Sequence, residues 1–137
     1  MNILFDTNVI LDALLDREPF GEHALCLFDA LESSRINGYI GAHSVTTLFY
    51  LMEKAKTASF ARQKIKLLLD IFEVAPVTRA VLEEALAPGF VDYEDAVVYH
   101  SALHAGADGI VTRNGPDFKK SKIAIYAPAE LVAAIGK

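Results

Sequence analysis

Short apolar runs alternate along the chain with longer stretches in which apolar residues recur every three or four positions. A short apolar run predicts a buried strand, whereas the longer period predicts a helix with one buried face. The predicted strands are residues 3–5, 38–42, 72–77, 109–112 and 123–126. The predicted helices are residues 9–15, 21–34, 45–56, 59–69, 78–87, 92–105 and 128–135. Strands that alternate with helices predict an α/β fold with a parallel, doubly wound sheet.

Polar residues stand where several of these helices begin. A side-chain oxygen at that position can accept a hydrogen bond from a free amide of the first turn, which is the N-cap role. The predicted caps are Thr7 or Asn8, His43 with Ser44, Ser59, and Thr78. On the first helix, Asp12 and Asp16 fall off the apolar stripe, so we expect both side chains to lie in solvent.

The composition fits a sheet that is covered on both faces. The chain has 137 residues, 53% of them hydrophobic, and its mean hydropathy is +0.28. This length predicts a single domain, residues 1–137. No apolar stretch approaches the roughly 18 residues of a membrane span, and no signal peptide is evident, so we expect a cytoplasmic protein without membrane contact. The one cysteine, Cys26, excludes an intramolecular disulfide and a site built from several thiolates.

The net charge of −5 narrows the classes of partner. Wide, purely electrostatic binding to nucleic acid needs a basic surface, which this chain lacks. A nuclease is not excluded, because its site can be acidic when bound metal inverts the local field.

Three groups of polar residues follow a predicted strand or open a predicted helix. Asp6 ends the first strand, Asp92 and Asp95 lie three residues apart on one helix face, and residues 112–117 follow the fourth strand. Ligands bind at the carboxyl ends of strands in open α/β sheets. Carboxylates gathered there repel one another unless a divalent cation holds them, and Mg²⁺ and Mn²⁺ prefer such oxygen ligands.

Simpler roles exist for each of these residues. Asp6 can be a helix cap or an ion-pair partner, and Asp92 is fully explained as an N-cap. Asp95 suits the first turn of a helix because the helix dipole favours a carboxylate there. Asn114 can be a turn residue before a glycine, and Asp117 can cap a loop.

In four stretches the chain resembles the PIN-domain family, the fold of VapC-type toxin ribonucleases. The stretches are Leu4-Phe5-Asp6-Thr7-Asn8-Val9-Ile10-Leu11-Asp12, Ala42-His43-Ser44, Asp92-Tyr93-Glu94-Asp95-Ala96 and Ile110-Val111-Thr112-Arg113-Asn114-Gly115-Pro116-Asp117-Phe118. The resemblance implies a three-layer α/β/α, Rossmann-like domain with a central parallel sheet flanked by helices. It also implies an endoribonuclease that depends on Mg²⁺ or Mn²⁺, is often a homodimer, and in bacteria is commonly paired with an antitoxin.

The resemblance also implies roles for individual residues. The implied catalytic residues are Asp6, Asp95, Asn114 and Asp117. The implied metal ligands are Asp6, Asp95 and Asp117, with Asp92 as a further candidate. The implied substrate-binding residues are Asn8, Ser44, Thr112 and Arg113. In this scheme the metal activates water for in-line attack on a phosphodiester of single-stranded RNA or of an RNA loop, and the products carry 5′-phosphate and 3′-hydroxyl ends.

One position departs from the family pattern. The family usually carries a Glu on the helix after the second strand, and that position is Tyr50 in this chain. Glu53 lies about one turn further along the same face, but it can equally be a solvated partner of a neighbouring lysine. A site with one carboxylate fewer leaves a second hypothesis open, in which the chain is a catalytically weakened module that binds RNA or protein.

Other polar residues are weaker candidates. Arg113 begins a local basic run with Lys119, Lys120 and Lys122, which is either a phosphate contact or a solvated loop. His43 is either a cap or a substrate contact. His100 and His104 are four residues apart on a predicted helix, but the sequence offers no third ligand beside them. A phosphatase with Asp6 as nucleophile is disfavoured, since that signature needs a second Asp at the position of Asn8.

Overall fold

The computed structural model describes residues 1–136. The strands are β1 (Asn2–Phe5), β2 (Asn37–Gly41), β3 (Glu73–Ala75), β4 (Gly109–Val111) and β5 (Ala124–Tyr126). The helices are α1 (Thr7–Leu14), α2 (Gly21–Glu32), α3 (Ala42–Ala55), α4 (Ala58–Ile71), α5 (Arg79–Glu84), α6 (Tyr93–Ala105) and α7 (Pro128–Ile135). A short 3₁₀ helix, Gly115–Phe118, falls in the polar stretch that the sequence left without regular structure.

The five strands form one parallel sheet in the order β3-β2-β1-β4-β5, which confirms the predicted α/β fold. The register places Leu4 of β1 beside Tyr39 of β2 and Ile110 of β4. From β1 the chain builds outward through β2 and β3, and then returns to place β4 on the other side of β1. The β1–β4 boundary is therefore the topological switch point, where ligands bind in folds of this type.

Successive residues of β1 face opposite sides of the sheet, so each face has its own core. Ile3 and Phe5 pack in a large core with residues of α1, α2, α3, α4 and α7, where the Phe5 and Phe72 rings meet edge to face at 5.1 Å. Leu4 and Ile110 pack on the other face against α6. Burial of both faces explains why β1 is apolar from Ile3 to Phe5, directly before Asp6.

Three of the predicted helix caps are wrong by one to three residues. The residues wrongly predicted as caps are Thr7 or Asn8, His43 with Ser44, and Ser59. The observed N-caps of those helices are Asp6, Gly41 and Thr57. The apolar period begins with the first residue that faces the core, which lies after the cap, so it places the helix start too late. The predicted caps Thr78 and Asp92 are confirmed.

The prediction that Asp12 lies in solvent is wrong, whereas Asp16 is exposed as expected. Asp12 is completely buried, because Arg17 and Arg113 lie against its two oxygens. No helix among residues 1–136 combines the length and apolar character needed to cross a membrane.

Candidate metal centre

Asp6 lies at the carboxyl end of the central strand β1 and is held there by hydrogen bonds to both oxygens. Its Oδ1 accepts from the backbone N of Thr7 at 2.9 Å, which makes it the N-cap of α1. Its Oδ2 accepts from Oγ1 of Thr112 at 2.8 Å and from Nδ2 of Asn8 at 3.4 Å. Asp6 is thus both a cap and a fixed carboxylate at the switch point, and the two roles do not exclude each other.

The chain after β4 is tied to the end of β1 through the same residues. The buried Thr112 Oγ1 donates to Asp6 and accepts from the backbone N of Asn114 at 3.0 Å. The Asn8 Oδ1 accepts from the backbone N of Arg113 at 3.2 Å. Asn8 and Thr112 therefore join β1 to the segment that leads into the 3₁₀ helix.

Three more carboxylates line one cleft beside this point. Asp92 and Asp95 from the start of α6 meet Asp117 from the 3₁₀ helix in a cleft of about 470 Å³ that Lys119 also lines. Asp92 additionally caps α6, since its Oδ1 accepts from the backbone N of Glu94 at 2.7 Å. The capping role and a place in the cleft thus coexist at Asp92, as they do at Asp6.

The carboxylates are close enough to perturb one another. Burial, followed by the charges of Asp6, Asp92 and Asp117 in that order, raises the pKa of Asp95 to about 7. Burial also raises the pKa of Asp6, against the hydrogen bonds from Thr112 and Thr7, which lower it. The structure therefore brings the predicted Asp6, Asp95 and Asp117 to one side of the molecule, and among residues 1–136 no ion pair includes any of the three.

The chemistry of these donors fits a hard divalent cation. All are carboxylate oxygens, and their mutual repulsion is relieved by positive charge. Among the described residues, no group of three or more Asp, Glu, His or Cys side chains is arranged so that it could hold a metal ion. Mg²⁺ commonly keeps several waters and binds through one or two carboxylates plus substrate phosphate, so a preformed cage is not required.

The structure also shows the surroundings of the other residues that the sequence associates with the site. Ser44 is buried in the first turn of α3, and Asn114 is exposed between Thr112 and the 3₁₀ helix. Tyr50 is 55% exposed, and its hydroxyl accepts a hydrogen bond from Lys54 at 3.2 Å. Glu53 is exposed as well, so the structure gives neither residue a contact with the site carboxylates.

His43, predicted as either a cap or a substrate contact, has a ring that is largely enclosed by the protein. Both ring nitrogens are buried without a hydrogen-bond partner among residues 1–136. Burial lowers the pKa of His43, against the charges of Glu94 and Asp6, which raise it. A Cβ at Gly41 would lie 2.9 Å from the His43 Cε1, so the absence of a side chain at Gly41 leaves room for the ring.

A larger cavity, of about 660 Å³, opens at the opposite edge of the sheet. It is lined by the starts of β2 and β3 and by acidic residues that include Glu32, Asp70 and Glu73. The larger volume of this cavity does not make it the functional site. Ligands of parallel sheets bind at the carboxyl ends of the strands, which is the Asp6 edge.

Comparison with known proteins supports the same fold. The sequence model of a family described as PIN domain matches residues 2–115. No curated protein is similar enough in sequence to count as a match.

Several solved structures have the same fold at low sequence identity. A toxin–antitoxin complex from Klebsiella pneumoniae has a TM-score of 0.70 at 21% identity, covering 92% of this chain and 97% of that chain. VapBC2 from Rickettsia felis, bound to a DNA fragment from the promoter, has 0.69 at 17%, covering 93% and 98%. VapC20 from Mycobacterium tuberculosis, described as a sarcin–ricin loop cleaving toxin, has 0.61 at 15%, covering 79% and 86%.

Proposed function

The chain belongs to the PIN-domain family, and we propose that it is an endoribonuclease that depends on Mg²⁺ or Mn²⁺. The observation that carries the proposal is the meeting of Asp6, at the switch point, with the cleft formed by Asp92, Asp95 and Asp117. The substrate is single-stranded RNA or an RNA loop. A cleft beside strand ends at the surface can receive an extended strand, whereas the acidic surface does not suit a long duplex.

The proposed metal ligands are Asp6, Asp95 and Asp117, with Asp92 as a further oxygen donor. The bound cation would supply Lewis-acid activation of a water and charge for the leaving oxygen. Thr112 holds Asp6 in place through its 2.8 Å hydrogen bond, and Asn114 follows it at the edge of the site. No side chain of the chain is required as a general base in this scheme.

The residues proposed to bind RNA are polar groups near the carboxyl ends of the strands, beside Asp6. Asn8 is proposed to line the path of the RNA, and Lys119 is proposed to contact a phosphate from within the cleft. The prediction that Ser44 and Thr112 bind substrate stays a prediction, although both side chains are buried. The prediction that Arg113 binds a phosphate stays a prediction, although two of its nitrogens lie against Asp12.

We further propose that the protein acts in the cytoplasm as the toxin of a type II toxin–antitoxin pair. The support is that the Klebsiella neighbour, which has the same fold, is a toxin–antitoxin complex. A homodimer is proposed on the family resemblance. Co-expression with the product of an adjacent small gene, followed by co-purification, tests the antitoxin partner.

The decisive experiment compares the wild type with Asp6→Asn and with Asp70→Asn, a matched control on the exposed face of α4. Calorimetry is expected to detect Mn²⁺ binding by the wild type and Asp70→Asn, but not by Asp6→Asn. Cleavage of a mixed RNA pool is expected to require Mn²⁺ or Mg²⁺ and to be lost in Asp6→Asn alone. Equal, metal-independent degradation by all three proteins would refute the proposal.

Tyr50 motivates the second candidate, a PIN-fold module that binds RNA or protein with a weakened site. It is the exposed aromatic residue at the position where the family usually carries Glu. In that case Asp6→Asn would bind RNA as tightly as the wild type, and neither protein would cleave it with any divalent metal. Measurable metal-dependent cleavage by the wild type excludes this candidate.

A further inference from the structure

Asp12 is a completely buried carboxylate that two arginines share. Its Oδ1 lies 2.9 Å from Nε of Arg17, and its Oδ2 lies 2.8 Å from Nε of Arg113. Arg113 Nη2 reaches the Asp12 Oδ1 as well, at 3.4 Å. The Asp12 side chain is 1% exposed, so it cannot touch RNA or solvent metal.

The two arginines differ in what they connect. Arg17 follows α1 directly, so its contact with Asp12 is local. Arg113 lies 101 residues away in sequence, immediately after β4 and between Thr112 and Asn114. The Asp12–Arg113 contact is therefore a direct link between α1 and the segment that carries Asn114 and Asp117.

Arg113 is fixed from three directions. Its backbone N donates to Asn8 Oδ1 at 3.2 Å, and its guanidinium carbon lies 4.0 Å from the centre of the Phe20 ring. Asp12 provides the third contact, through the ion pair of its Oδ2 with Nε at 2.8 Å, which is not aligned as a hydrogen bond, and the hydrogen bond from Nη2 to its Oδ1 at 3.4 Å. A planar guanidinium can face a carboxylate with two nitrogens while it stacks on an aromatic ring, and the point charge of a lysine cannot do both.

We propose that Asp12 is a positioning residue of the nuclease: through Arg113 it fixes the chain between Thr112 and Asp117, and so keeps Asp117 beside Asp95. This inference rests on the proposed function. In this inference, Arg113 anchors the chain instead of contacting a phosphate. The Arg113 side chain is 27% exposed. The exposed Asn114 and Asp117 lie between the buried Thr112 and Phe118, and the Asp12–Arg113 link adds a contact within that stretch.

The test uses Asp12→Asn and Arg113→Lys, with Arg17→Gln as the matched control that removes the other ion pair of the same carboxylate. Loss of positioning is expected to lower kcat by about tenfold to a hundredfold in Asp12→Asn, since a displacement of about 1 Å can cost that much. The KM for RNA should stay at the wild-type value, because Asp12 does not touch the substrate. Arg17→Gln should lose thermal stability but keep kcat.

Two further readouts separate positioning from a general loss of stability. The effects of Asp12→Asn and Arg113→Lys on kcat should be less than additive in the double variant, because both break one link. Amide hydrogen exchange of residues 114–118 should become faster in both single variants while the β1 amides stay protected. Arg113→Lys keeps the test available if Asp12→Asn does not fold.

The possible failures can be told apart. An active wild type whose Asp12→Asn variant keeps kcat and shows unchanged exchange at residues 114–118 overturns the positioning role alone. Strictly additive effects on kcat in the double variant overturn it too. A wild type that neither binds Mn²⁺ nor cleaves RNA overturns the proposed function, and the inference with it.

Discussion

Individual carboxylates in this protein differ in whether a cation neutralises them. Asp12 is buried against two arginines. By contrast, none of the ion pairs formed among residues 1–136 includes Asp6, Asp92, Asp95 or Asp117. Repulsion between unpaired carboxylates opposes folding, and it is relieved by protonation or by a cation. The carboxylate of Asp12 therefore stabilises the fold, whereas the carboxylates at the strand ends remain free to bind a ligand.

Asp95 leads to a prediction about pH and metal. Its pKa in the folded protein is raised to about 7 from the ordinary value of 3.8, so the folded state holds this proton more tightly than the unfolded chain does. The stability it contributes is complete below the unfolded pKa and is lost as pH rises through about 7. In EDTA, the melting temperature is expected to fall from pH 5 to pH 8, a range that includes the transition at about 7.

Asp95→Asn is the control for this prediction, because it removes the titration and retains the side-chain shape. The variant is expected to have a flatter pH dependence than the wild type. Added Mn²⁺ should restore the melting temperature of the wild type at pH 8 and have less effect on the variant. A wild-type melting temperature that rises through this pH range in EDTA would contradict the assignment.

The sequence could identify some of these residues and not others. Asp6 was predictable because it directly follows an apolar strand and precedes a helix. Asp12 was not, because its position off the apolar stripe predicts exposure, and the Arg113 that buries it lies 101 residues away. The surroundings of His43 were also not predictable, since they depend on Asp6 and Glu94 from two other elements.

Among the secondary-structure elements, α5 and α6 are joined by a contact that the sequence did not reveal. The Glu84 Oε1 lies 2.9 Å from Nε2 of His104 and 3.5 Å from Nδ1 of His100. The hydrogen bond from His104 lowers the pKa of Glu84 most, and the charges of the two histidines lower it further. The pair of histidines that the sequence left without a partner therefore faces a carboxylate of α5.

Glu84→Gln is expected to destabilise the packing of α5 on α6. Because the folded pKa of Glu84 is lowered, its contribution is present above the unfolded pKa and is lost as pH falls through the folded pKa. The loss of melting temperature on substitution should therefore be larger at neutral pH than in acid. Glu83→Gln, which removes only an exposed contact with Arg79 at 3.7 Å, is the control. An equal loss at all pH values would contradict the prediction.

The close packing of β2 against its neighbours is also testable. A Cβ added at Gly38 would lie 2.5 Å from Cδ2 of Leu31 and 2.9 Å from the Phe72 ring. Gly38→Ala should therefore lower the free energy of unfolding by about 1–3 kcal/mol, the usual cost of overpacking a core. Gly115→Ala, whose nearest neighbour is the Ile125 Cγ2 at 4.0 Å, should have little effect. Chemical denaturation of the two variants measures the difference, and equal stability would show that the core around Gly38 can relax.

The elements themselves were largely predictable, and their ends were not. α7 was predicted with its observed bounds, since Pro128 marks its first turn. β3 was predicted at residues 72–77 but pairs only over Glu73–Ala75, because strand length depends on its partner β2 rather than on its own apolar run. The 3₁₀ helix Gly115–Phe118 was missed, because its polar residues carry no apolar period although Phe118 is buried.

For the whole molecule, the sequence predicted a parallel sheet but not the order of its strands. The order β3-β2-β1-β4-β5 puts the first and fourth strands side by side, and this neighbourhood brings Thr112 to Asp6. Strand order is decided by packing between distant segments, which local patterns do not encode. The site was predictable only to the extent that all its residues follow strands or open helices.

The net charge of −5 sets how the whole protein should bind RNA. Lys119 lines the acidic cleft, and Lys120 and Lys122 follow it in the chain. With so few cations near the site, the slope of log affinity against log salt should be shallow, at roughly −1.4 to −2.1 for two or three phosphate contacts on a single strand. Fluorescence anisotropy of labelled single-stranded RNA with Asp6→Asn protein measures this slope while the RNA stays intact.

Two lysine variants test where the RNA binds. Adding Lys119→Ala should make the slope shallower by about 0.7, the value of one contact, and Lys66→Ala on α4 should leave the slope unchanged. A steep slope that Lys119→Ala does not alter would move the RNA path away from the cleft.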